Sequence, residues 1–240
     1  MWKTAIVVGA SSGMGAELVR KLATQGTRVA AVARREDLLR KLASESERIV
    51  PFPHDVREYE TAPPLFDRIC EELDGVDLVV YCAGVMPAVE EHEYNFEKDR
   101  AQLEVNLVGA VLWLNLAAAQ MEARRSGTIV GIASVAGDRG RRGAPVYTAS
   151  KGGLITYLEA LRNRVHRYGV EVVTVKPGPV ETPMTAGLRL PFMISADAAA
   201  DGILKLARNG TGSGYVPWIW RPIMTIIRFV PSFIFRKTNI

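Results

Sequence analysis

Cysteine is scarce in this chain, with only Cys70 and Cys82 among 240 residues. The two stand too far apart for a CxxC redox or zinc motif, so no metal site is expected. A reducing compartment is the simple reading, and a cytoplasmic location follows from it. Acid is missing from the end of the chain: no Asp or Glu follows Asp201. Beyond it lie Lys205, Arg208, Arg221, Arg228, Arg236 and Lys237, and without these six the chain holds 24 basic against 26 acidic residues. The net charge of +4 therefore belongs to the tail, and a nucleic-acid footprint over the body is not expected. Low-complexity runs and internal repeats are absent. The first strand pattern begins at Thr4, which leaves no room for a signal peptide.

The length suits one α/β domain with an ample core. Short apolar runs at 4–8, 28–33, 48–52, 77–81, 128–133, 170–176 and 214–216 read as strands. Helical spacing appears at 16–25, 37–42, 59–73, 145–168 and 196–208, and at Leu103, Leu107, Val111, Leu114 and Ala118. Fully apolar strands separated by helices imply a parallel sheet covered on both faces. No internal linker is visible. The expected division is a dinucleotide-binding domain over 1–216, containing a substrate lid at 183–194, and an apolar, basic tail over 217–240.

The glycine turn after the first strand is Gly9-Ala-Ser11-Ser12-Gly13-Met14-Gly15. Its GxxxGxG spacing differs from the general GxGxxG fingerprint. Glycine lets the backbone approach a pyrophosphate, and the following helix N-terminus offers free N–H groups and partial positive charge. The acid that an NAD site usually places after strand two is absent, and Ala33-Arg34-Arg35 stands there instead. A guanidinium fork suits a 2′-phosphate, so NADP(H) is favoured over NAD(H). The competing account has both arginines merely pairing with Glu36 or Asp37 on a solvated helix.

Tyr147-Thr-Ala-Ser-Lys151 places a phenol and an ammonium one helical turn apart on one face. A cation beside a phenol favours the phenolate and fits it for acid/base work on an alcohol or carbonyl. Ser134 ends strand five, where ligands sit in open α/β sheets, and Asn106 is an isolated amide in an apolar helical stretch.

Together these motifs resemble the short-chain dehydrogenase/reductases of the standard, non-extended type, from Thr4 to about Arg208. Asp55-Val56 and Pro177-Gly-Pro-Val-Glu-Thr182 add to the likeness. The resemblance implies a single-domain Rossmann-type doubly wound parallel sheet of order 3-2-1-4-5-6-7. It implies Tyr147 as general acid/base, and Lys151 as the residue that binds the nicotinamide ribose and lowers the tyrosine pKa. Ser134 would steady the substrate oxygen, and Asn106 would hold a relay water. Asp55 and Val56 would contact adenine, and Pro177, Gly178, Val180 and Thr182 would line the nicotinamide. Tyr81-Cys82-Ala83-Gly84 departs from the family's Asn-Asn-Ala-Gly, which leaves Ala83 and Gly84 as cofactor contacts without the amides. No basic residue stands inside the glycine loop.

The implied activity is NADP(H)-dependent hydride transfer to a lipophilic ketone or aldehyde. Its rivals are an NAD-linked alcohol dehydrogenase and a non-catalytic NADP-binding sensor or scaffold. The short apolar lid suits an apolar small-molecule substrate, and the resemblance implies a homodimer or homotetramer. The tail places Arg221, Thr225, Arg228, Ser232 and Arg236 on one helical stripe, with Pro231 expected to break it. It is too short for a membrane span. It reads as an interfacial helix at a membrane surface, as a second lid, or as an oligomer interface.

Overall fold

Seven parallel strands organise the chain: β1 (Thr4–Val8), β2 (Arg28–Ala33), β3 (Ile49–Pro53), β4 (Leu78–Tyr81), β5 (Gly127–Ile132), β6 (Val170–Pro177) and an edge strand at Ser213–Val216. Two short segments, β7 (Val180–Glu181) and β8 (Ile194–Ser195), pair separately, so the edge strand is β9. The sheet order is β3-β2-β1-β4-β5-β6-β9, the expected order with β9 as seventh strand. A computed structural model describes residues 1–238, so the last two positions of the tail lie outside the described residues.

Both faces of the sheet are apolar, as the strand sequences require. In β1, Ile6 and Val8 point to one layer and Ala5 and Val7 to the other. The first layer is covered by α3 (Ala62–Leu73), α5 (Gly109–Arg124) and α6 (Pro145–Val165). The second is covered by α1 (Gly13–Thr24), α2 (Glu36–Ala43) and α7 (Ala196–Arg208). Because every pair in this sheet is parallel, all the strand C-termini lie at one end, which is where a site forms in this architecture.

Three local outcomes refine the sequence expectations. The helix expected from 59 begins at Ala62, because Pro63 and Pro64 occupy its first turn, where a missing N–H costs nothing. The long helix around Asn106 is interrupted: α4 (Phe96–Leu103) leads into a π-helical turn at Glu104–Val108, and α5 follows. Residues 96–124 are long and apolar enough to cross a membrane by composition, but half of that apolar window is buried inside the fold. In the tail, α8 (Trp220–Phe229) accommodates Pro222 in its first turn and stops before Pro231, and α9 (Ser232–Phe235) follows.

Candidate active site

The glycine turn is held by close backbone approach. A side chain at Gly9 would lie 2.5 Å from the Ala83 nitrogen, and one at Gly15 would lie 2.1 Å from the Gly9 oxygen. Gly9 also takes a positive φ of 93°, which favours glycine. Ser12 caps α1 in extended conformation without a side-chain capping bond, which leaves first-turn N–H groups directed at the cleft. The cleft, of about 580 Å³, is lined by Gly9, Ser11, Ser12, Gly13, Met14 and Gly15 on one side. Arg34, Arg35 and Val56 line one end, and Ala83, Gly84 and Thr182 line the other wall with Met184.

The two arginines do not pair with Glu36 or Asp37. Arg35 crosses the turn and donates to Ser12 Oγ at 2.6 Å and to Ser11 Oγ at 2.9 Å. Arg34 approaches the Asp55 carboxylate at 3.7 Å, while Glu36 is taken by Arg40. Asp55 is also clamped by Arg57 at 2.7 Å. Arg57, and then Arg34, hold its carboxyl below the ordinary carboxylate range against the opposing effect of burial. Asp55 thus stands behind the cleft wall, fixing the arginines, while its neighbour Val56 lines the cleft.

Asn106 lies in the π-helical turn and is fully buried. Its Oδ1 accepts from the Val85 nitrogen at 2.8 Å, and its Nδ2 donates to the Val85 oxygen at 3.0 Å and to Ser150 Oγ at 3.2 Å. A π-bulge re-aims one side chain out of helical register; here that side chain fixes the loop after β4. Tyr81, standing where the family has an amide, donates its buried hydroxyl to the Val105 oxygen at 2.6 Å.

Lys151 is buried on α6 and donates to the Ile132 oxygen at 2.9 Å. Burial pushes its ammonium down to about 8. A side chain at Gly84 would fall 3.4 Å from Asn106 Oδ1 and 3.6 Å from Lys151 Nζ. These two groups therefore lie directly behind Gly84, a residue of the cleft wall, with no side chain between. Tyr147 is half-buried, with its ring centroid 5.9 Å from Lys151 Nζ. Burial raises the phenol above its ordinary range, and a hydrogen bond with Ser134 and the Arg141 guanidinium pull it back. Ser134 also caps the short 3-10 turn that follows it, accepting from the Ala136 nitrogen at 3.0 Å.

Arg141, in the loop between Ser134 and Tyr147, is thus a further cation that favours the phenolate, beside the Lys151 expected from the four-residue spacing. Arg141 itself is held below its ordinary range by burial. Its signal in the sequence was the run Arg139-Gly-Arg-Arg-Gly143 between Ser134 and Tyr147, which charge counting alone assigned to no role.

Pro177 is buried at the end of β6 and Val180 in β7, and Thr182 joins the cleft through a capping box with Thr185. Gly178 is covered: a side chain there would sit 2.0 Å from Trp220 Nε1. That indole N–H is buried without a hydrogen-bond partner. Phe192 of the 183–194 segment packs edge-on against the same indole at 5.9 Å. The tail is thereby attached to both the strand end and that segment. A second cleft, of about 610 Å³ beside Met1, Trp2 and Arg208, shares no residue with this site.

Fold and site define a class, an α/β protein with a dinucleotide-type cleft and an Asn–Ser–Tyr–Lys group of which Asn106 and Lys151 are buried and Ser134 and Tyr147 half-buried. The family model "short chain dehydrogenase" matches residues 3–191, and the chain belongs to that family of nicotinamide-dependent oxidoreductases. It is 34% identical over 223 residues to an uncharacterized oxidoreductase of Myxococcus xanthus, covering 90% of this chain and 88% of the relative. It is 30% identical over 241 residues to one of Mycobacterium tuberculosis, covering 97% and 95%. Among solved structures, the actinorhodin polyketide ketoreductase with NADPH is similar, with TM-score 0.81 and 28% identity over 89% of this chain and 95% of that one.

Proposed function

We propose that the protein is an NADPH-dependent reductase of lipophilic ketones or aldehydes, with Tyr147 as general acid. The observation that carries this reading is the Tyr147 phenol, tuned by Ser134 and Arg141, close to the Lys151 ammonium, which lies with Asn106 behind the Gly84 wall of the cleft. The residues present fit a dinucleotide. Gly9, Gly13 and Gly15 leave a cradle that side chains would fill, and the N-terminus of α1 faces it. Arg35, pinned to Ser11 and Ser12, and Arg34 offer guanidinium groups at the end where a 2′-phosphate is recognised. When bound, the nicotinamide supplies a hydride.

The chain's own groups do the rest. Ser134 orients the substrate oxygen toward the Tyr147 hydroxyl, which delivers its proton as charge develops on that oxygen. Arg141 stabilises the phenolate left behind, and this electrostatic support is aimed before the reaction begins. Lys151, behind the Gly84 wall of the cleft, would bind the nicotinamide ribose. Asn106 keeps the 83–86 loop in place and so holds that wall of the site. The lid residues Met184, Leu188 and Phe192 offer apolar surface to the substrate, and the similarity to a ketoreductase solved with NADPH points to the same chemistry.

A pure sensor needs no phenol tuned by a hydroxyl and a guanidinium, and that disfavours the scaffold alternative. The test is NADPH oxidation by the full-length protein with a panel of diketones, quinones and long-chain ketones or aldehydes. Turnover with at least one apolar carbonyl, faster with NADPH than with NADH, is the expected result. Nucleotide binding without turnover of any carbonyl or alcohol would leave the scaffold reading standing instead.

A further inference from the structure

The large apolar side chains left exposed by the fold are concentrated on two segments that touch. Nine of the fourteen among the described residues lie in 183–194 or 217–238. Trp218 is 73% exposed, Ile226 69%, Phe229 82% and Phe233 61%. The Phe192–Trp220 contact joins lid and tail into one rim at the mouth of the site. Inwardly the tail is fixed: Trp220 and Met224 pack on Val135. Arg139 donates to the carbonyls of Ile227 and Val230 and stacks on Phe235 at 3.9 Å. The outward apolar face is thus a built surface on an anchored helix.

Its charge identifies the partner. The two segments carry Arg189, Arg221, Arg228, Arg236 and Lys237 and no acid at all. Among the described residues, Arg189, Arg221, Arg236 and Lys237 have no carboxylate within ion-pair distance. A symmetric contact between two copies would bring these cations toward one another, since an isologous interface meets itself. An anionic lipid surface complements both properties at once, taking aromatic and aliphatic side chains into the interface while cations meet the headgroups. At ten residues, α8 spans roughly 15 Å, too short to cross a bilayer and suited to lying in its plane.

We propose that the lid–tail rim docks this protein on anionic membrane surfaces, with the mouth of the cleft facing the lipid. The docking does not depend on the reductase reading; only its consequence, delivery of a lipophilic substrate from the bilayer, rests on that reading. The experiment is co-sedimentation of the full-length protein with vesicles of phosphatidylcholine alone or with about one third phosphatidylglycerol, at low and high salt. Binding to the anionic vesicles, weakened by salt and small on the neutral ones, is expected. Phe229→Glu with Ile226→Glu, and separately Arg221→Glu with Arg236→Glu, should each lower partitioning at least about tenfold. All four positions are exposed, so the near-UV circular dichroism should stay native. Tyr147→Phe should dock normally, which separates failure of the chemistry from failure of the docking. No binding to anionic vesicles overturns the proposal. So does a stable dimer that Phe229→Glu converts to monomer while vesicle binding is absent throughout.

Discussion

Asn106 grips Val85 with both ends of its amide, accepting from the Val85 nitrogen at 2.8 Å and donating to its oxygen at 3.0 Å. The pair joins the π-helical turn to the loop that forms one wall of the cleft. Asn106→Asp keeps the size and the acceptor but turns an oxygen toward the Val85 carbonyl and buries a charge. It should destabilise the fold by about 1–3 kcal/mol, measured by urea unfolding at neutral pH. It should also reduce turnover even where the protein is fully folded. An unchanged unfolding midpoint would show that the amide does not hold the loop.

Cofactor preference tests the arginines. Arg35 is ordered by two hydroxyls before any phosphate arrives, and charge-assisted bonds of this kind contribute about 1.5–3 kcal/mol. Arg35→Ala should therefore cut the NADPH-to-NADH ratio of kcat/KM by roughly 10- to 100-fold. Arg34→Asp should lower the same ratio and release Asp55 from one partner. If both variants retain the native ratio, the 2′-phosphate is recognised elsewhere.

The tuning of Tyr147 predicts a pH shift. Arg141 favours the phenolate, so Arg141→Leu should raise the phenol's pKa and move the limb of the pH–rate profile that reports Tyr147 to higher pH. Cofactor affinity should change little, because Arg141 lies among neither the cradle glycines nor the arginines at its end. A limb that stays in place would exclude Arg141 as a cation acting on the phenol.

Lys151 gives a stability test with a definite sign. Burial brings its ammonium from an ordinary 10.5 down to about 8. Between these values the unfolded chain binds the proton and the native chain does not, so Lys151's contribution to stability rises as pH rises through that window. The whole difference amounts to about 3 kcal/mol. Cys82 runs the other way, its thiol pushed up to about 11 by burial, so the native chain alone is a poor reporter. The unfolding free energy of the native protein minus that of Lys151→Met should grow between pH 8 and 10.5. A flat difference would mean that the ammonium is solvated.

Much of this was legible in the residues. Apolar strands of four to eight residues, the glycine turn and Tyr147/Lys151 each follow from local rules, and the family resemblance they carry implied the sheet order. What escaped is what local rules do not encode. Apolar spacing from Leu103 to Ala118 fits an α-helix and a π-interrupted helix equally well, so the turn that re-aims Asn106 was invisible. The missing family amide at Tyr81 read as a loss, yet the phenol there reaches the Val105 oxygen and ties the strand to the π-helical turn. Arg139 drew no reading from the sequence, because its partners, the carbonyls of Ile227 and Val230, lie far along the chain. The tail's attachment through Trp220 depends on a glycine 42 positions earlier, Gly178.

The central claim is that Tyr147 is the acid/base of a hydride transfer. The direct measurement is turnover and NADPH affinity of Tyr147→Phe, side by side with the native protein on the best carbonyl found. The phenylalanine keeps the ring and loses only the hydroxyl that meets Ser134. The account predicts a fall in kcat of at least about 100-fold, the lower bound for losing a positioned proton donor, with NADPH binding within about threefold of native. Turnover within a few-fold of native, with NADPH still bound, would contradict it.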